Sequence, residues 1–288
     1  MTGSFLASLP SPSGGTIDLG PLSIHAYGLM IAIGVIASVR LLGARMVAKG
    51  VGTLDDANSI AVWGVVGGVI GARLYHVATD WSKFENNLGN IPKIWNGGLG
   101  IPGGLLLGAA AGIWAARRRG ISISGVLASA APAIPLAQGI GRWGNWFNQE
   151  LFGKPTTLPW GLRIDAAHRP AEYASFTTFQ PTFLYESLAN LALAGLLVLI
   201  DRRKKIRRGH LFAMYVMGYG LIRFVVEGMR IDEAHHLGGL RWNQWVALAA
   251  IAIPGVYVAV SSRRPLPAEA TINPADEADL RDLQELPD

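Results

Sequence analysis

Residues 139–153 read GIGRWGNWFNQELFG, setting Arg142, Asn145, Asn148, Gln149 and Glu150 among Trp143, Trp146 and Phe147. A guanidinium offers planar, forked donors suited to phosphate or carboxylate oxygens, and amides add neutral donors. On a helical wheel Arg142, Asn145, Trp146 and Gln149 fall on one side. Glycines at 139, 141, 144 and 153 work against an ideal helix and let backbone approach a ligand closely. A second set lies in GYGLIRFVVEGMR, where Tyr219, Arg223, Glu227 and Arg230 recur at helical spacing. That stripe carries phenol, guanidinium, carboxylate and guanidinium. Its bland reading is a structural ion pair that lets the helix enter a membrane. Arg73, in VIGARLYHV, could equally snorkel to an interface. An interfacial aromatic belt explains the tryptophans near Arg142 but not the three amides beside them, which suit an anionic, oxygen-rich headgroup.

The elements that position these groups are apolar. Half of the 288 residues are hydrophobic and 16% are charged, with a mean hydropathy of +0.31, which excludes an ordinary soluble domain. Spans of membrane-crossing length are expected at about 22–44, 58–79, 99–116, 122–140, 182–200, 209–227 and 243–260. Basic clusters follow the odd-numbered spans: Arg40, Arg45 and Lys49; Arg117 to Arg119; DRRKKIRR at 201–208; and Arg263 with Arg264. By the positive-inside rule this predicts an all-α polytopic membrane protein of about seven helices, N-terminus out and C-terminus in. The net charge of +5 and pI near 9.6 therefore report topology, not nucleic-acid binding. Residues 1–18 form an extracytoplasmic segment and 19–260 the membrane domain, with a small irregular or β-containing cap at about 141–181. Residues 261–288 form an acidic cytoplasmic tail whose composition reads as disordered. No cleavable signal peptide is expected, since the first twenty residues lack a basic stretch before a continuous apolar core. The absence of cysteine excludes disulfides, thiolate metal sites and a cysteine nucleophile. The six histidines offer no metal-ligand set, and no cofactor is expected.

The pattern GRWGNWFNQELFG resembles the signature of the bacterial phosphatidylglycerol–prolipoprotein diacylglyceryl transferases. LGPLSIHAYGLM, GARLYHV, WNGGLGIPGG, QPTFLYE and GYGLIRFVVEGMR resemble that family's other blocks, in its order, over about 19–260. The resemblance implies a multi-pass enzyme of the bacterial plasma membrane. It takes the diacylglyceryl group from phosphatidylglycerol and places it on the lipobox cysteine thiol of a prolipoprotein, releasing glycerol 1-phosphate. It implies catalytic roles for Arg142, Arg223, Tyr27 and Glu227. Phosphatidylglycerol binding is implied for Arg142, Asn145, Gly153, Arg73, Tyr219, Arg223 and Arg230.

Two positions depart from the family. Its histidine before the Gly-Gly of the third-span block is Pro102 here, and the histidine opening the fifth span is Gln180. Neither takes a proton. The base is then His25, Tyr27 or Glu227, or the arginines lower the thiol pKa enough that none is needed. Glu186 is equally a structural partner for one of the arginines. Rival readings are a non-catalytic phospholipid-binding protein or flippase, and a solute transporter, although no internal repeat is visible.

Overall fold

The computed structural model describes residues 8–12, 14–19, 22–203, 206–207 and 209–263. Most of the expected acidic tail, from residue 264, lies outside the described residues, as do residues 1–7 of the N-terminal segment. Strand β1 (Thr16–Leu19) pairs antiparallel with β2 (Leu22–His25), with Thr16 opposite His25, and the chain passes directly into α1 (Ala26–Ala48). Helix α2 (Leu54–Thr79) starts on a reciprocal cap. Thr53 Oγ1 accepts the Asp56 N–H at 3.1 Å while Asp56 Oδ2 accepts the Thr53 N–H at 2.8 Å. Three short 3-10 turns lead to α3 (Ile101–Arg118), with Pro102 in the first turn, where a missing N–H costs no helix bond.

The expected fourth span is broken rather than continuous. Helix α4 (Ile123–Ala130) stops at Ala131–Pro132, and α5 (Ala133–Gly141) with α6 (Trp143–Asn148) continues at 42° to it. Pro132 has no N–H for the helix ladder, which accounts for a break inside an otherwise apolar run. A two-strand ladder, β3 (Leu162–Arg163) with β4 (Thr178–Phe179), precedes α7 (Thr182–Arg203). Helix α8 (His210–Met229), the hairpin β5 (His236–Leu237) and β6 (Leu240–Arg241), and α9 (Trp242–Ser262) complete the described chain.

Five helices (α1, α2, α7, α8 and α9) are long and apolar enough to cross a membrane, six if the bent α4–α5 unit counts as one span. The expected third span exists as α3, but Arg117 and Arg118 fall within its 18 residues and leave it short of that standard. Ile36, Ile70, Leu105, Leu106, Ile253 and Val256 point outward and are exposed. Such an exterior suits hydrocarbon, not water. Helices α2 and α3 meet backbone to backbone: a Cβ on Gly71 would stand 2.2 Å from the Gly103 carbonyl oxygen, and one on Gly103 2.2 Å from that of Gly71. Small residues permit this approach, which dispersion and packing then stabilise without a hydrophobic driving force.

The bundle has two dissimilar ends. At one, Arg45 and Lys49 each stand 2.8 Å from Asp201, and Arg119 pairs with Asp55 and Asp56. The other end carries residues 143–181, whose irregular turns and β3–β4 ladder close over a core of Phe152, Leu162, Ile164, Phe179 and Phe183. Leu9 bridges Leu162, so the N-terminal segment is part of this cap.

Candidate functional site

Four elements converge beneath the cap: the start of α1, the α5–α6 junction, the first turns of α7 and the last turns of α8. Arg142 sits at the junction, exposing its guanidinium to Glu186 on α7 at 2.6 Å. Arg223 stands 3.7 Å from the other Glu186 oxygen and pairs with Glu227 one turn along α8. Glu227, fully buried, also stands 3.6 Å from Arg230 and 2.9 Å from Arg241. Arg230 and Arg241 share Asp232, at 2.6 and 3.0 Å. One continuous chain of ion pairs thus runs from Arg142 to Asp232. It holds four guanidiniums against three carboxylates, one positive charge in excess. Glu150 stands beside it, accepting a 2.7 Å hydrogen bond from the Asn145 amide.

Taking this many charges out of water is costly unless each finds a partner. Arg223 Nη1, Glu186 Oε1 and Glu227 Oε2 are nonetheless buried without a hydrogen bond among the described residues, and the arginine donor suits an oxygen-rich ligand. Burial works to raise the Asp232 carboxyl, but the Arg230 hydrogen bond and the charges of Arg230 and Arg241 outweigh it. The group is held below the ordinary carboxylate range. A small cavity of about 10 Å³, room for one water, is lined by Arg142, Asn145, Thr182, Phe183, Glu186 and Arg230 among others.

Two glycines make the convergence possible. A Cβ on Gly144 would stand 2.6 Å from the Tyr27 ring, which therefore rests on the backbone beside Asn145. Gly153 lies between the start of α7 and the end of α8: its N–H donates to the Gln180 carbonyl at 2.9 Å, and it bridges Arg230. A Cβ there would stand 2.8 Å from Gln180 Cβ and 3.0 Å from the Met229 carbonyl oxygen.

Other sequence candidates fall elsewhere. Arg73 lies outside the ion-pair chain; its guanidinium donates to the carbonyls of Asn90, Ile91, Gly97 and Gly98 at 2.6–3.0 Å and lies over Phe84. Tyr219 stacks on Tyr215. His25 precedes α1 as an exposed N-cap without a side-chain cap bond. The one-sided stripe expected through Gln149 ends early, because α6 stops at Asn148 and Gln149 turns left-handed (φ 51°). Its amide then donates to the Pro12 carbonyl and Asp165 carboxylate, and its oxygen accepts the Asp165 N–H. Trp146 Nε1 donates to Pro10 O and Trp143 Nε1 to Ser187 Oγ, so both indoles tie elements together. Sequence reasoning did not single out Arg241 or Asp232, and it weighed Glu186 only as an arginine partner. Pro102 and Gln180 carry no titratable base; Gln180 Oε1 accepts from the Tyr185 hydroxyl and its amide donates to Thr156 Oγ1. Among the described residues no group of three or more His, Cys, Asp or Glu could hold a metal.

The sequence profile of the prolipoprotein diacylglyceryl transferases matches residues 15–260, which hold every member of this ion-pair chain. The chain belongs to that family. A phosphatidylglycerol–prolipoprotein diacylglyceryl transferase of Frankia alni is 46% identical over 285 residues, covering 97% of this chain and 73% of the relative. One from Streptomyces coelicolor is 45% identical over 275 residues, covering 94% and 79%. One from Cutibacterium acnes is 46% identical over 261 residues, covering 89% and 88%. The family match thus runs through the apolar helices and residues 143–181 together.

Proposed function

We propose that this chain transfers the diacylglyceryl group of phosphatidylglycerol to the lipobox cysteine thiol of prolipoproteins, in the plasma membrane, with seven spans, the cap and N-terminus outside and the C-terminus inside. The clustering of Arg45, Lys49, Arg117 to Arg119 and Arg202 with Arg203 at one end supports that orientation.

The observation that carries the reading is the single excess positive charge of the buried chain. It matches the one negative charge of a phosphodiester. In the transfer, the cysteine sulfur attacks the glycerol carbon bonded to the phosphate oxygen. A carbon–sulfur bond forms, the carbon–oxygen bond breaks, and its electron pair stays on oxygen. The diester monoanion becomes a glycerol phosphate monoester that accumulates a second negative charge, and the thiol proton passes to water. Arg142 and Arg223 face the accumulating charge and favour it over the ground state. Asn145 orients the headgroup, with Tyr27 packed behind its backbone. Glu227, engaged by three arginines, holds them in place. The positive field favours the thiolate, so no base is needed at Pro102 or Gln180.

Purified protein in detergent, given phosphatidylglycerol and a lipobox peptide, tests this. Peptide gaining a diacylglyceryl mass with equimolar glycerol phosphate is expected, lost in Arg142→Ala and Arg223→Ala. Phosphatidylglycerol binding without either product refutes the transferase reading and leaves a lipid-binding protein.

A further inference from the structure

Arg230 lines two spaces. On one side it closes the small cavity with Arg142, Asn145 and Glu186; on the other it walls an open cleft of about 710 Å³. The cleft lies outside the spans, between the 230–241 hairpin and the cap, and Lys154, Glu172, Ala234, His235 and His236 also line it. Arg230, common to both linings, has a buried and a part-exposed partner: Nη1 stands 3.6 Å from fully buried Glu227, while Nε and Nη2 donate at 2.6 and 2.8 Å to Asp232, about one-third exposed. Lys154 ties the cleft to the site, its N–H donating at 3.0 Å to the Met229 carbonyl next to Arg230.

We infer that this cleft is the release site for the water-soluble product, a glycerol phosphate monoester, with Arg230 as the wall it passes. The inference rests on the transferase reading, which makes one lipid-bound product and one that must leave for water. A monoester formed against the buried arginines needs a polar way out that does not cross hydrocarbon. The cleft and the cavity share Arg230 as a wall, and that side chain keeps a carboxylate partner in Glu227 or Asp232. Its ionic lining suits passage rather than capture: Lys154, Arg230 and Arg241 are balanced by Glu172, Asp232 and Glu233, so a dianion meets partners without the excess charge that would trap it.

The test narrows the cleft without replacing any member of the ion-pair chain. Ala234→Trp places an indole in it, and Ala234→Ser is the control. Single-turnover transfer, with enzyme in excess over phosphatidylglycerol, should match wild type, while steady-state turnover falls by about tenfold because release becomes limiting. A burst of lipidated peptide should precede the slow phase. An equal fall in single-turnover and steady-state rates overturns the inference, as does unchanged steady-state turnover. A raised KM for phosphatidylglycerol with no burst assigns the cleft to headgroup capture instead and also overturns it. Failure of the transferase reading looks different: wild type itself releases no glycerol phosphate.

Discussion

Arg241→Ala gives the sharpest test of the ion-pair chain, because Arg241 approaches no proposed reacting atom and reaches the others through Glu227 and Asp232. Its buried guanidinium donates to Glu227 Oε1 at 2.9 Å, to the Arg230 carbonyl at 3.0 Å and to Asp232 Oδ2 at 3.0 Å. Truncation removes one positive charge of four, so the excess that matches a phosphodiester disappears. Removing one partner of a buried pair costs about 3–5 kcal/mol. The low end, about 3 kcal/mol, applies because Glu227 keeps Arg223 and Asp232 keeps Arg230. At roughly 2–4 °C per kcal/mol, the melting temperature in detergent should fall by about 6–12 °C. With its carbonyl released, Arg230 loses its fixed position, and turnover per folded molecule should fall by about tenfold to a hundredfold. Arg241→Lys keeps the charge but not the fork and should recover part of the rate. Melting and peptide-lipidation assays on the same preparations decide the matter. A melting temperature within about 1 °C of wild type, with turnover within about twofold, refutes the reasoning. A large melting shift with unchanged turnover confines Arg241 to stability.

Gly153→Ala should abolish most activity while leaving insertion and the basic end intact, since its Cβ would press on Gln180 and the Met229 carbonyl; limited proteolysis of the cap and peptide lipidation read the two effects. Arg73→Met should lower the melting temperature without changing KM for phosphatidylglycerol, because four backbone carbonyls occupy the guanidinium. Asp232→Asn should matter only above the acid range. The folded carboxyl is depressed below the ordinary aspartate value of 3.8, so its contribution is fully present above about pH 4 and is lost as pH falls through the folded pKa. Melting curves of wild type and variant should therefore differ at pH 6 and converge at lower pH; convergence already at pH 5 would contradict the depressed pKa. Gly71→Leu should be among the most destabilising changes in the spans, as its side chain would occupy the Gly103 backbone.

Much of the fold was legible because bilayer physics writes itself into composition. The apolar windows of α1, α2, α7, α8 and α9 lie within a few residues of the observed helices. Pro132 signalled the break in the fourth span, but an apolar run around it hid the signal. The pairing of Arg223 with Glu227 follows from a four-residue spacing. The link between Arg142 and Glu186 crosses from the α5–α6 junction to α7, and no local rule encodes it. Arg241 ends a short hairpin and Asp232 lies in the connection before it, both without periodicity, where a lone arginine reads as a solvated charge. One clue was available: Glu227, placed between Arg223 and Arg230 in a span, already implied a site rich in cations. Gln149 misled because the helix carrying it ends one residue earlier, a fact set by left-handed backbone.

The order in which the partners are made has a consequence for biogenesis. Pro12 waits for Gln149, 137 residues downstream, which at roughly 5–20 residues per second is of the order of ten seconds. Helix α8 enters the membrane carrying its own counter-charge, since Arg223 and Glu227 lie one turn apart. Arg142 has no such companion and emerges at a helix junction before Glu186 exists. Arg241 comes after all of them, at the threshold of the last described helix. A half-made chain therefore lacks the complete set of ion pairs, which can close only once the residue that opens the last described helix has emerged.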